Sequence, residues 1–241
     1  MLRWGFTPAA GWAAGAARHP NTPALVDELG TMTFREVDEA SSAIATGLHE
    51  LGVADGGSVG MLMRNSRWMA LALSAVAKAG ADAVLLNTGF GAQQLADVMK
   101  REGITAIVYD AEFEKLLAEA PPELVRIVGW HDATTERTTL EELTETPPQL
   151  TRPHHRGRQV ILTSGTTGTP KGAARTVEGI EPAAAFLSGI PLKARGTTVI
   201  APPLFHAWGL AHLGLGLLLS STIVLRRRFD PEETLALLEE H

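Results

Sequence analysis

The stretch from Ser58 to Gly129 constrains the fold more than any other. Short apolar runs alternate along it with longer amphipathic segments. Strands are expected at Ser58–Met63, Ala83–Leu86, Ala106–Tyr109 and Arg126–Gly129. Helices are expected at Ser66–Ala79 and Ala92–Glu102, with a short one at Ala111–Ala118. Strands joined by helices of this length run parallel, because a crossover returns the chain to the same sheet edge. The fold class expected is therefore α/β, with largely parallel sheets covered by helices.

The flanks extend the pattern. Residues 8–17 suit a short helix with Pro8 at its first position. Ala24–Asp27 and Thr31–Phe34 flank a Glu28–Gly30 turn and read as a hairpin. Val37, Ile44, Leu48 and Leu51 recur at helical spacing over Arg35–Leu51, and Gly52 closes that helix. Thr139 and Glu142 are spaced as a capping box. Further on, helices are expected at 177–188, Leu210–Leu219 and Pro231–Glu240, the last capped by Asp230. Strands are expected at Val199–Ala201 and Ile223–Leu225.

Val160-Ile161-Leu162 reads as a buried strand, and it runs directly into Thr163-Ser164-Gly165-Thr166-Thr167-Gly168-Thr169-Pro170-Lys171-Gly172. Such a loop suits a polyphosphate. Gly165, Gly168 and Gly172 let main-chain N–H groups approach an anion closely. The hydroxyls are donors that rotate to the ligand, and Lys171 brings a compact positive charge. The common kinase-type phosphate loop places its lysine at a helix start, followed by Ser or Thr. Here Lys171 lies between Pro170 and Gly172, which reads as a clamp over phosphates.

The ten-residue loop resembles the signature phosphate loop of the adenylate-forming superfamily, which includes acyl-CoA synthetases, amino-acid adenylation domains and luciferases. Other segments are similar as well: Gly30–Val37, Arg64-Asn65-Ser66, Lys78-Ala79-Gly80-Ala81 through Leu86-Asn87, and Pro202-Pro203-Leu204-Phe205-His206-Ala207-Trp208-Gly209. The similarity runs from about residue 18 to the C-terminus and is nearest to fatty-acid–CoA ligases.

That resemblance implies stacked αβ subdomains. Residues 53–192 would form the first, carrying the phosphate loop. Residues 1–52 together with 193–241 would form part of a second. It also implies ATP-dependent activation of a carboxylic acid, expected to be a fatty acid, to an acyl-adenylate. Transfer to coenzyme A would follow, the chemistry of an acid–thiol ligase. ATP, Mg²⁺ and coenzyme A are the implied cofactors. Thr163, Ser164, Gly165, Thr166, Thr167, Gly168, Thr169, Lys171 and Gly172 would hold the phosphates, with Lys171 stabilising charge. His206 and Trp208 would line the acyl pocket. An acyl-AMP ligase serving a carrier protein, or a nucleotide-binding fragment without turnover, are the alternatives. Thr134-Thr135-Glu136 looks like the family's magnesium segment but precedes the phosphate loop, so it reads as a polar loop.

The family's magnesium-binding acid, ribose-binding Asp, hinge and small C-terminal domain have no counterpart in the sequence. The chain resembles the front half of an enzyme. It is expected to be inactive alone and to self-associate through apolar surface left uncovered. The 45% hydrophobic content supports a sizeable core, and the net charge of −6 gives no nucleic-acid footprint. No cysteine is present, and the histidine spacings match no metal motif, so no protein-held metal is expected. Pro8 and glycines break the N-terminal apolar stretch, and Trp208–Leu225 is too interrupted to span a bilayer. A cytoplasmic location is expected. Arg226-Arg227-Arg228 reads as a solvated strand end.

Overall fold

The computed structural model describes residues 4–163, 171–174 and 193–240. Ser164, Gly165, Thr166, Thr167, Gly168 and Thr169, and the helix expected at 177–188, lie outside the described residues. The described strands form two sheets.

The larger sheet has six strands: β3 (Ser58–Leu62), β4 (Asp82–Leu85), β5 (Ile104–Tyr109), β6 (Val125–Val128), β7 (Gln159–Thr163) and β8 (Lys171–Ala174), in the order β6-β5-β3-β4-β7-β8. The first five run parallel, so their carboxyl ends share one edge. Only β8 is antiparallel, paired with β7 from Val160–Ala174 to Thr163–Lys171. Sequence reading missed this strand. Lys171-Gly172-Ala173-Ala174 lacks β-branched residues and alternation, and only a partner strand makes it extended.

The smaller sheet has the order β2-β1-β10-β9, built from β1 (Pro23–Asp27), β2 (Gly30–Thr33), β9 (Thr197–Ile200) and β10 (Thr222–Leu225). The expected β1–β2 hairpin is present, but β1 also pairs in parallel with β10, from the far end of the chain.

Both faces of the larger sheet are buried, which is why its strands read as continuous apolar runs. Val59, Met61, Leu85, Val108, Ile127 and Ile161 face one cluster. Leu62, Val84, Ile107, Tyr109, Val128 and Val160 face another, with α4 (Ala92–Arg101) and the 3₁₀ turn Ala111–Leu117. The period of two sorts neighbours to opposite faces. The first cluster is shared with Leu25, Ile223 and Leu225 of the smaller sheet. Helix α3 (Arg67–Lys78) packs on β4 of the larger sheet and β1 of the smaller, and α1 (Pro8–Arg18) and α2 (Phe34–Glu50) pack against it. Still shorter is α5 (Leu140–Leu143), started by the expected capping box of Thr139 and Glu142.

Helices α2 and α3 are fastened by a buried lysine. Lys78 is 1% exposed. Its Nζ lies 2.7 to 2.9 Å from four acceptors that share its three N–H donors: the main-chain carbonyl and Oδ1 of Asp38 and the hydroxyls of Ser41 and Ser42. A buried ammonium is tolerable only when its donors are taken up in this way. Gly80 follows in the left-handed region at φ +74°, where a Cβ would lie 2.4 Å from Asp55 Oδ1. Glycine is required there on both counts.

The pairing of β7 with β4 is locked at its start by Asp82. Its carboxylate accepts from the Arg158 main chain (2.8 Å), Arg158 Nε (3.0 Å) and Nη2 (2.6 Å), and it lies 2.9 Å from the His155 ring. Burial alone would raise this carboxyl group. The Arg158 and His155 hydrogen bonds outweigh it and hold Asp82 below the ordinary aspartate value. A depressed carboxylate stabilises the fold above the unfolded value, about 3.9, and loses that contribution as pH falls through the folded value. Asp82→Asn is therefore expected to cost about 1–3 kcal/mol at pH 7 in urea unfolding. The gap from the unsubstituted chain should narrow as pH drops below about 4.

Candidate functional site

Ligands in open α/β sheets gather at the carboxyl ends of the strands. On that edge the larger sheet presents Met63–Arg67 after β3, Asn87 after β4, Asp110 after β5, Trp130 after β6 and the exit of β7 at Thr163. Strands β3 and β7 both flank β4. Their ends are therefore about two inter-strand spacings apart, roughly 9.5 Å.

The phosphate-loop sequence leaves on β7 and returns on β8. Thr163 and Lys171 are register partners across the hairpin, and Gly172 lies opposite Leu162. The main chain at Lys171 is thus that of a strand, and the loop is strung between two paired strands.

Four consecutive residues after β3 each grip a different element. Arg64 donates its Nε and Nη2 to the two oxygens of Glu112 at 2.8 and 2.9 Å. Asn65, 6% exposed, accepts the Leu204 N–H at 2.7 Å and donates to the Pro202 carbonyl at 2.9 Å. Ser66 caps α3 by accepting from Met69 N–H. Arg67 pairs with Asp27 at the end of β1 and donates to the Gly30 carbonyl.

The Asn65 partners introduce the segment with His206 and Trp208. His206 N–H donates to the Pro203 carbonyl at 3.0 Å, forming a turn just before α6 (Ala207–Leu218). Gly209 packs so closely on this turn that a Cβ would lie 2.2 Å from the Pro203 oxygen. His206 is exposed, and Trp208 is 63% exposed with its ring edge-on to His212 at 4.7 Å. Thus Thr163 and Lys171 are brought together across one hairpin, and His206 and Trp208 on the first turn of one helix. Asn65, in the residues after β3, holds the main chain that leads to the second group, and β4 lies between β3 and β7, which carries the first.

A second tie holds the same edge. Arg227, read from sequence as part of a solvated strand end, is only 13% exposed in its side chain. Its Nη2 reaches Glu112 at 2.8 Å and Asp110 at 3.3 Å, and its guanidinium lies 4.4 Å from the Trp130 ring centroid. Two facing carboxylates and an aromatic face compensate it for lost water. Asp110 is fully buried and also accepts N–H bonds from Arg64 and Trp130. Burial pushes its carboxyl group upward, with the Arg64 N–H and Arg227 pulling the other way. In Glu112 the Arg64 hydrogen bond dominates and lowers it. Sequence reading missed Asn65, Asp110 and Arg227 as anchors. The only signal was the polar Arg64-Asn65-Ser66 triplet between a buried strand and an apolar helix.

The model of the AMP-binding enzyme family matches residues 12–241. A long-chain-fatty-acid–CoA ligase of Mycobacterium tuberculosis is 27% identical over 214 residues, which is 87% of this chain and 42% of the relative. The inhibitor-bound N-terminal domain of FACL13 from the same organism superimposes with a TM-score of 0.82 at 24% identity, over 97% of this chain and 60% of that one. The o-succinylbenzoate–coenzyme A synthetase of Bacillus subtilis, solved with ATP and magnesium ion, gives 0.76 at 26% identity, over 96% and 60%. The chain therefore spans less than two thirds of each.

Arg227→Ala would take the guanidinium partner from the buried Asp110 carboxylate and leave it two main-chain donors, and is expected to destabilise by about 3–5 kcal/mol. Arg228 is 74% exposed, and Arg228→Ala should stay within about 0.5 kcal/mol. Urea unfolding of the two variants side by side measures the contrast.

Proposed function

Because the chain belongs to the AMP-binding enzyme family, we propose that its protein activates a carboxylic acid with ATP. The acid's carboxylate attacks the α-phosphorus, forming an acyl-adenylate and releasing pyrophosphate. The thiol of coenzyme A then attacks the acyl carbon and AMP leaves. A fatty acid is the proposed substrate, on the likeness to the long-chain-fatty-acid–CoA ligase.

The single observation that carries this reading is the hairpin at the carboxyl edge of the sheet, which pairs Thr163 with Lys171 around a Gly/Thr loop. Thr163 to Thr169, Lys171 and Gly172 are assigned to the β- and γ-phosphates. Attack at the α-phosphorus builds charge on phosphate oxygens, so positioned donors and one ammonium group lower the barrier electrostatically. Lys171 does this without exchanging a proton. Magnesium would supply further charge neutralisation on the triphosphate when bound. Among the described residues, no three His, Asp or Glu side chains converge to hold a metal ion. His206 and Trp208 are assigned to the acyl side. Residues 53–192 are assigned to one αβ unit, and 1–52 with 193–241 to part of a second. Among the described residues, no helix is long and apolar enough to cross a membrane.

The test is carboxylate-dependent exchange of labelled pyrophosphate into ATP by the full reading frame that contains these residues. Exchange is expected with fatty acids of graded chain length, and AMP release should require coenzyme A. Lys171→Ala should lower kcat by about 10²-fold. Steady ATP hydrolysis indifferent to any carboxylate would overturn the assignment.

A further inference from the structure

Pro202 and Pro203 stand side by side just past β9, and neither has an N–H. That stretch of main chain cannot be secured by donating to a neighbouring strand. The next donor is the Leu204 N–H, and Asn65 Oδ1 accepts it at 2.7 Å. The same side chain turns its amide nitrogen to the Pro202 carbonyl at 2.9 Å and the Ile200 carbonyl at 3.4 Å. One buried amide therefore holds three points along five residues of the other sheet's outgoing chain. Asparagine suits this use, since it offers an acceptor and two donors on a short stem. Aspartate keeps only the acceptor, and alanine keeps neither.

With Pro202 and Leu204 held, the turn after them is held too. Leu204 is fully buried, and the His206 N–H is bonded to the Pro203 carbonyl. The rings of Phe205 and His206 lie 6.2 Å apart on that turn. The anchor itself leaves from the end of β3, and a single strand, β4, separates β3 from β7 and the start of the Gly/Thr loop. Asn65 is therefore the side chain that sets the Phe205–His206 turn against the sheet edge carrying the phosphate loop.

We propose that Asn65 is a positioning residue for the carboxylic acid: its amide holds the Ile200–Leu204 main chain so that Phe205 and His206 meet the acid at the carboxyl edge of the larger sheet. The proposal rests on the acid-activating reading given above. It assigns Asn65 no contact with the acid or with ATP. Its loss should weaken capture of the acid selectively, while the nucleotide is still held by a loop on the other strands.

Pyrophosphate exchange by the full reading frame, with Asn65→Asp and Asn65→Ala, tests the proposal. The KM for the acid should rise about tenfold in both variants, which lose two hydrogen bonds (Asn65→Asp) or all three (Asn65→Ala). The KM for ATP should stay within about twofold, a split that general loosening of the fold would not produce. Amide exchange of Leu204 gives an independent reading on the tie itself. Its N–H should be protected in the unsubstituted protein and in Asn65→Asp, which keeps the acceptor, and unprotected in Asn65→Ala. Equal rises in both KM values, or none in either, would overturn the positioning role. Rapid exchange of Leu204 in the unsubstituted protein would overturn it without recourse to a variant. Absence of any carboxylate-dependent exchange, with Leu204 protected, would remove the acid-activating reading and the substrate role with it, leaving a purely structural tie.

Discussion

Two sheets with no shared strand must be held in one register, and the interactions that do so govern everything else in this molecule. Apolar contact provides the adhesion. Leu25, Ile223 and Leu225 from one sheet and Val59, Met61 and Leu85 from the other bury into a common cluster with apolar residues of α1, α2, α3, α5 and α6. Apolar contact is non-directional, however, and does not by itself select one alignment. Directional bonds at the carboxyl edge do that. The turn Arg64–Arg67 sends one residue to Glu112, one to Pro202 and Leu204, one to cap its own helix and one to Asp27. Arg227 returns the grip from the smaller sheet onto Asp110 and Glu112.

This arrangement explains why ionisable groups are buried where they are. A buried charge is tolerable when its partners are complete. Asp110 has two main-chain donors and a guanidinium, and Lys78 has carbonyl, carboxylate and hydroxyl acceptors. Each joins elements far apart in sequence. At the opposite end of the sheet, Asp82 does the same for the entry of β7. The hairpin carrying the Gly/Thr loop is thus seated by a carboxylate at the foot of the strand and by β4 along its length. The loop therefore starts and ends on paired strands whose own positions are fixed.

Much of the fold was legible because it obeys local rules. Continuous apolar runs marked strands buried on both faces. Thr139 with Glu142 marked a helix start, as did Pro231 after Asp230, whose side chain accepts the Glu233 N–H. The Gly/Thr loop and the Pro202–Gly209 segment were visible as motifs, and both lead from strand ends. Strand β8 escaped notice because its residues have no preference for extension until β7 offers them a partner. Arg227 was misread because three consecutive arginines in a sequence are indistinguishable. Only the carboxylates brought opposite the middle one set it apart from Arg228.

The sequence alone determined the α/β class, the order of most elements and the chemistry that the loop can offer, since periodicity, caps and glycines act over a few residues. It also offered Arg64-Asn65-Ser66 as a segment similar to the adenylate-forming superfamily. What Asn65 holds was decided only by tertiary structure. Its acceptor and donors are satisfied by main-chain groups more than a hundred positions away. No local pattern encodes such a pairing, because it exists only once the two sheets have closed on their common core.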